Sequence, residues 1–174
     1  MPLFLITGAG GTGKSEICRA LKKRGYEAYD VDEDGLAHWQ HNGTGYIHPK
    51  SSIRLEQRTA EFLAEHDWNV LRKDVEDLAH NAEGKIVFLC GSMGNEDELY
   101  DLFSVVFALY VDDEILKSRL ANRTDNDWGK QKHELEQTLK YHHESFDKHR
   151  KRGDIVIDSN QPVESVVDAI LSKV

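Results

Sequence analysis

The stretch Gly8-Ala-Gly-Gly-Thr-Gly13-Lys14-Ser15 fills the pattern G-x-x-x-x-G-K-[ST] at every fixed position. Glycine at Gly8, Gly10, Gly11 and Gly13 lets the backbone curl, so that successive N–H groups, that of Thr12 among them, point inward at phosphate oxygens. Lys14 supplies a cation for the outer phosphates, Ser15 a hydroxyl for magnesium, and a helix starting near Ser15 would aim its positive end at the same place. The competing explanation is an ordinary glycine-rich strand-to-helix turn. Context favours the phosphate loop, because Leu3 to Thr7 before it reads as a strand and Ser15 to Arg24 after it as a helix. A nucleotide, ATP with Mg2+, is the expected ligand.

A second constellation is Tyr29-Asp30-Val31-Asp32-Glu33-Asp34-Gly35, which puts Asp30, Asp32 and Asp34 at the carboxyl end of a predicted second strand, where open parallel sheets hold their ligands. Residues two apart on a strand point the same way, so Asp30 and Asp32 are expected to face either magnesium or an acceptor hydroxyl. A carboxylate there can orient the hydroxyl and take its proton during phosphoryl transfer. A solvated acidic loop is the other explanation.

Two arginine pairs follow. Arg119 and Arg123 lie four apart on one predicted helical face, just before the polar loop Thr124 to Lys130. Planar guanidinium can stack on a base and stabilise charge spread over phosphoryl oxygens, but the same pair fits an exposed, salt-bridged helix. Arg54 and Arg58 repeat the spacing on a segment expected to wall an acceptor pocket, either as a clamp for an anionic acceptor or as a solvated face with Glu56 and Glu61.

These groups need a scaffold that brings them to one edge. Short apolar runs at Leu3–Thr7, Glu27–Val31, Ile86–Cys90, Val105–Val111 and Ile155–Ile157 alternate with amphipathic stretches, which predicts an α/β fold with a five-stranded parallel sheet flanked by helices. The expected helices run from Ser15 to Arg24, through a long segment from Ile53 to about Ala82, near Glu96 to Leu102, from Asp113 to Asn122, from Lys132 to about Arg150, and from Val163 to Val174. The stretches 41–52 and 124–130 read as mobile loops.

A length of 174 residues suits one domain, residues 1–174, with an acceptor-binding region at about 32–82 and a short lid at about 119–131. Lys and Arg number 22 against 31 Asp and Glu, and the resulting charge of -9 argues against a nucleic-acid or anionic-membrane partner. Cys18 and Cys90, in apolar contexts without C-x-x-C spacing, read as reduced thiols of a cytoplasmic protein. The apolar run at Leu3 is too short to span a membrane. His38 with His41, and His142 with His143, lack the patterns of zinc ligands and are expected at the surface. Trp68 and Trp128 are expected to be packing residues, while Trp39, following the carboxylate loop, is a candidate for the acceptor pocket.

On the phosphate loop, the end of the second strand and the segment 112–130, the chain resembles the small-molecule and nucleoside monophosphate kinases of the P-loop NTPase fold, the group of adenylate kinase, shikimate kinase and gluconate kinase. The resemblance to the Asp-x-Asp of shikimate kinase implies that Asp30 lies near magnesium and Asp32 holds the acceptor. Similarity to the lid of nucleoside monophosphate kinases implies that Arg119 covers adenine and Arg123 reaches the transferring phosphate. By the same resemblance, Gly91 belongs to a glycine-rich substrate turn, and Gln161 with Pro162 to a turn behind the adenine; a plain helix-starting turn explains the latter equally. The third strand departs from adenylate kinases, because Gly91-Ser-Met-Gly94-Asn95 has neither their Asp nor their Arg, which weakens a monophosphate acceptor and shifts metal holding onto Asp30 or Asp32. The expected activity is ATP-dependent transfer of the γ-phosphate to a hydroxyl or phosphate of a small-molecule acceptor, by a monomer or homodimer. The alternatives are a nucleoside or nucleoside monophosphate kinase, and a slow ATPase acting as a binding switch.

Overall fold

The computed structural model describes residues 2–49, 52–81, 84–124 and 127–174. Five strands, β1 (Leu3–Thr7), β2 (Glu27–Asp30), β5 (Val87–Cys90), β6 (Val105–Tyr110) and β7 (Ile155–Asp158), form one parallel sheet in the order β2-β5-β1-β6-β7. The central strand β1 is buried along its whole length, which is why its run is continuously apolar. Alternate residues feed two separate cores. Phe4 and Ile6 pack with Ile17 and Leu21 of α1 (Lys14–Lys23) and Val167 and Ile170 of α7 (Val163–Leu171). Leu3 and Leu5 pack on the other face with Val75 of α3 (Arg72–Asn81) and Leu99 of α4 (Glu96–Leu99).

The expected helix across 53–82 is not there. The segment breaks into a single 3-10 turn (Leu55–Gln57), a short α2 (Ala60–Glu65) started by the Thr59 hydroxyl accepting from Phe62 N, strand β4 (His66–Val70) and α3. Strand β4 pairs antiparallel with β3 (Ala37–His41), aligning Trp39 with Trp68. The alternation of Trp68 and Val70 with polar Asp67 and Asn69 is a strand period inside a stretch whose charge content resembles a helix. This two-stranded ribbon stands outside the main sheet, and Val70 and Ala37 anchor it to the second core.

On the far side, α5 (Asp113–Asn122) and α6 (Lys132–Arg152) pack through Leu116, Leu120, Leu135 and Leu139. Gly153, in the left-handed region at φ 87, ends α6 as a glycine C-cap. A buried polar cluster ties α4, α6 and the start of β7 to the end of β1. Thr7 Oγ1 donates to Glu96 Oε2 at 2.7 Å, His149 lies between Glu96 at 3.4 Å and Asp154 at 2.7 Å, and the Tyr100 hydroxyl donates to Asp154 at 2.6 Å. His38 and His142 are buried, against the expectation of surface histidines, while His41 is half-buried and His143 exposed; His66 and His149 are buried as well. Among the described residues no group of His, Cys, Asp and Glu is arranged to hold a metal, and no helix is long and apolar enough to cross a membrane.

Candidate active site

The carboxyl ends of β1 and β2 open into a cleft of about 880 Å³, floored by the loop between β1 and α1. Gly11 and Gly13 take φ +87 and +98, conformations that a side chain would strain, so the chain can turn tightly enough to start α1 at Lys14. The turn is locked from inside and outside. Thr12, fully buried, donates its hydroxyl to Ala9 O at 2.8 Å, while the Ser159 hydroxyl donates to Thr12 O at 2.6 Å. Arg119 adds a third tie, donating to Ser159 O at 2.9 Å and to Thr12 O at 3.5 Å. Gly13 and Ser15 face the cleft above these ties.

Lys14 is 8% exposed and donates to Gly8 O at 2.6 Å and Ala9 O at 2.8 Å. Burial pushes its pKa down to about 8, against the pull of Asp32 and Asp30 in the opposite direction. A polyphosphate beside it would restore the charged form, so the site is electrostatically matched to an anion.

The carboxylates separate into different roles. Strand β2 stops at Asp30 and the chain then turns over 31–35, so Asp30 and Asp32 do not share a strand face as expected. Buried Asp30 caps the turn, its Oδ1 accepting from Asp32 N at 2.9 Å and Glu33 N at 3.0 Å. Asp34 accepts from Asp30 N and from Lys22 Nζ, both at 2.8 Å, and lies on the α1 side, outside the cleft. Asp32 alone of the three lines the cleft. It is open to the cleft and walled by protein elsewhere; that desolvation raises its pKa, with the Trp68 N–H, donated at 2.7 Å, and the nearby Lys14 and Arg123 opposing the rise.

Arg123 follows α5 and lines the cleft near enough to Lys14 and Asp32 to perturb both. Lys130 Nζ closes the loop beneath it, donating to Arg123 O at 2.7 Å and Ala121 O at 3.1 Å. Positions 125 and 126 of the expected lid lie outside the described residues. Its described part is pinned: Trp128 donates to Thr138 Oγ1 at 2.9 Å, and Gly129 N donates to the fully buried Glu134 at 3.0 Å. Trp128 covers the phosphate loop so closely that a Cβ on Gly10 would stand 3.1 Å from its Cδ1.

The profile of the AAA domain family matches residues 5–140. The chain belongs to that family. No curated protein sequence matches it. Among solved structures, this AAA domain is similar to a shikimate kinase from Acinetobacter baumannii in complex with shikimate, at TM-score 0.59 and 16% identity over 99% of this chain and 94% of that one. It is also similar to a gluconokinase from Sinorhizobium meliloti 1021, at TM-score 0.55 and 18% identity over 96% and 87% of the two chains. A deoxyadenosine kinase from M. mycoides with bound dATP matches at TM-score 0.54 and 17% identity over 99% and 98%. The shared property is the fold, that of P-loop small-molecule and nucleoside kinases.

Several expected site residues of the AAA domain stand elsewhere. Gly91 is a packing residue: a Cβ there would come within 2.0 Å of Val31 Cγ2, and the cleft is lined instead by Ser92, Met93 and Gly94. Arg54 caps the 3-10 turn with its side chain 79% exposed, outside the cleft. Arg58 does line the cleft, though not from a helix; its Nε is 3.1 Å from Glu134 Oε1 and its guanidinium lies 5.7 Å from the Trp128 ring centre. Gln161 and Pro162 are exposed at the start of α7, and the contact from that turn to the phosphate loop is made by Ser159. Unforeseen members are Trp68, Asp67 and Tyr141, while Trp128 comes from the expected lid segment. The available signal was that the chain's three tryptophans all sit in polar stretches, where a core role is hard to fill.

Proposed function

We propose that this protein is an ATP-dependent phosphotransferase that moves the γ-phosphate to a hydroxyl of a small molecule. The observation that carries this is that Lys14, Asp32 and Arg123 line one cleft with the phosphate loop, near enough to act on one another electrostatically. A slow ATP-hydrolysing switch would need no aromatic wall of Trp39, Trp68 and Trp128 beside the carboxylate.

Loop N–H groups and Lys14 would hold the β- and γ-phosphates, and the N-terminus of α1 would stabilise them further. Asp32 would accept the proton of the acceptor hydroxyl as its oxygen bonds to phosphorus and the bond to the β-phosphate oxygen breaks, releasing ADP. Arg123 would stabilise the charge spread over the transferring group. For Mg2+, the fitting donors are the Ser15 hydroxyl and the cleft-facing Asp32, both hard oxygens; Asp30 fits less well, because it does not line the cleft and its Oδ1 is held by two turn N–H groups. So few protein donors suit an ion that keeps waters and phosphate ligands, and when bound it would neutralise phosphate charge.

Transfer of label from γ-labelled ATP across an acceptor panel tests the proposal. The expected result is a compound that accepts phosphate faster than water and whose transfer Asp32→Asn slows more than it weakens ATP binding. Hydrolysis unaffected by every acceptor would refute it.

A further inference from the structure

We infer that Glu134 is a positioning residue for transfer: its buried carboxylate joins the lid segment to the wall of the acceptor pocket, so that the two close over the transferring phosphate as one body and keep water from it. The inference rests on the phosphotransferase reading and adds what directs phosphate to an acceptor and away from water. Glu134 stands in the first turn of α6 with no exposed surface. One oxygen, Oε2, accepts from Gly129 N of the lid segment at 3.0 Å, and the other, Oε1, lies 3.1 Å from Nε of Arg58, which lines the cleft from the acceptor side. Two contacts run beside that ion pair. Gln131 Nε2 donates to Leu55 O at 3.0 Å and His133 Nε2 donates to Arg58 O at 2.8 Å, so the turn over 55–58 is held to the start of α6 by its backbone as well.

The lid end is tied to the same helix. Trp128 donates to Thr138 Oγ1 at 2.9 Å, its ring lies 5.7 Å from the Arg58 guanidinium, and it covers Gly10 of the phosphate loop. Lys130 holds the carbonyl of Arg123 at 2.7 Å, so the arginine near Lys14 leans on this segment too. A charge shut away from water is costly unless it is paired. The carboxylate of Glu134 is paired only while Gly129 N and Arg58 are both in place, so withdrawing either segment penalises the other. The joint also has capacity in reserve: Oε1 of Glu134 and Nε and Nη2 of Arg58 are buried and make no hydrogen bond among the described residues. At 3.1 Å only alignment is lacking, and a small rotation of the acceptor wall turns the ion pair into a charge-assisted hydrogen bond. An acceptor that brings about this rotation draws the lid segment down with it, which excludes water when transfer is due.

The test reads the joint and the chemistry separately, on the full chain. Hydrogen exchange of the ligand-free protein follows the amides of Gln57 and Arg58 at one end and of Gly129 and Lys130 at the other, each of which donates a hydrogen bond. Glu134→Gln keeps an oxygen for Gly129 N and removes the charge that holds Arg58, so exchange should rise several-fold at both ends together while the amides of β1 stay unchanged. With γ-labelled ATP, Mg2+ and the best acceptor, its ratio of transfer to hydrolysis should fall by at least ~tenfold with ATP affinity near that of the wild type, a split that lost stability alone does not produce. Thr138→Val releases Trp128 without touching the buried charge and should raise exchange at Gln57 and Arg58 from the lid end. Unchanged exchange there overturns the joint even if Glu134→Gln fails to fold. An unchanged ratio in folded Glu134→Gln overturns its part in transfer. No acceptor faster than water overturns the phosphotransferase reading, and the exchange measurements then decide the joint by themselves.

Discussion

The indole of Trp68 donates a 2.7 Å hydrogen bond to Asp32 Oδ1, linking a strand outside the main sheet to the carboxylate at the mouth of the phosphate loop. The bond favours the ionised carboxylate and so opposes the desolvation that raises its pKa. In Trp68→Phe the opposition is lost and the Asp32 pKa rises further. If Asp32 takes the acceptor proton, the acid limb of the kcat profile should move to higher pH, while ATP affinity stays near that of the wild type. A profile that does not move would separate Asp32 from proton transfer.

Lys14 yields a proton-linkage prediction. Its folded-state pKa of about 8 lies below the 10.5 of an unperturbed lysine, so the unfolded chain binds more protons between those values and folding stability contributed by this group rises as pH climbs through that window. Nucleotide phosphates should reverse the shift and hold Lys14 charged. Near pH 8, where roughly half of the free protein's Lys14 is neutral, ATP binding should therefore take up roughly half a proton. Calorimetry in buffers of different ionisation enthalpy reads this directly. Lys14→Met should abolish both the uptake and productive ATP use, without lowering the Tm of the free protein, because a buried cation is removed.

The two arginines of α5 and its end should behave differently. Arg123→Ala is expected to lower kcat by on the order of tenfold to a thousandfold with little change in ATP affinity, since it lines the cleft near Lys14 and Asp32, where the proposed transfer would take place. Arg119→Ala should weaken ATP binding and lower the Tm together, because its guanidinium holds the carbonyls of Thr12 and Ser159. Single-turnover transfer and nucleotide titration on both variants separate the two effects. Equal loss of kcat in both would dissolve the distinction.

What the sequence made legible follows from how local each signal is. The phosphate loop and the parallel sheet rest on contiguous patterns, and both stand as expected, with strand ends shifted by a residue. The shared strand face expected of Asp30 and Asp32 is absent because a turn, unlike a strand, has no alternating period, and an aspartate at its start captures the N–H groups that follow. The β3–β4 ribbon was hidden because its strands are polar on their open face and pair with each other, outside the main sheet, across 24 intervening residues. Glu134 was unreadable for a deeper reason: a carboxylate on an otherwise charged helix looks solvated until a distant Arg58 and Gly129 N turn out to be its partners.

Gly91→Ala separates the packing of that glycine on Val31 from a place in a substrate turn. A methyl group 2.0 Å from Val31 Cγ2 must push β2 from β5 or rotate Val31 out of the core, at a cost of about 1–3 kcal/mol. Urea denaturation should show that loss, with KM for any acceptor near wild type at temperatures where the variant is folded. A raised KM with unchanged stability would return Gly91 to the substrate turn.

Asp30→Asn and Asp32→Asn together decide which carboxylate meets magnesium. Asparagine keeps an Oδ1 that can accept from the N–H groups of residues 32 and 33, so Asp30→Asn should fold, losing about 1 kcal/mol as two charge-assisted bonds become neutral ones. The magnesium concentration giving half-maximal transfer should stay unchanged, because the Asp30 side chain does not line the cleft. Asp32→Asn should leave the turn intact and depress transfer strongly, with any change in magnesium dependence appearing here. Should Asp30→Asn instead raise the magnesium requirement while Asp32→Asn leaves it alone, the metal would approach from the β2 side, and the turn seen around Asp30 would have to open when nucleotide binds.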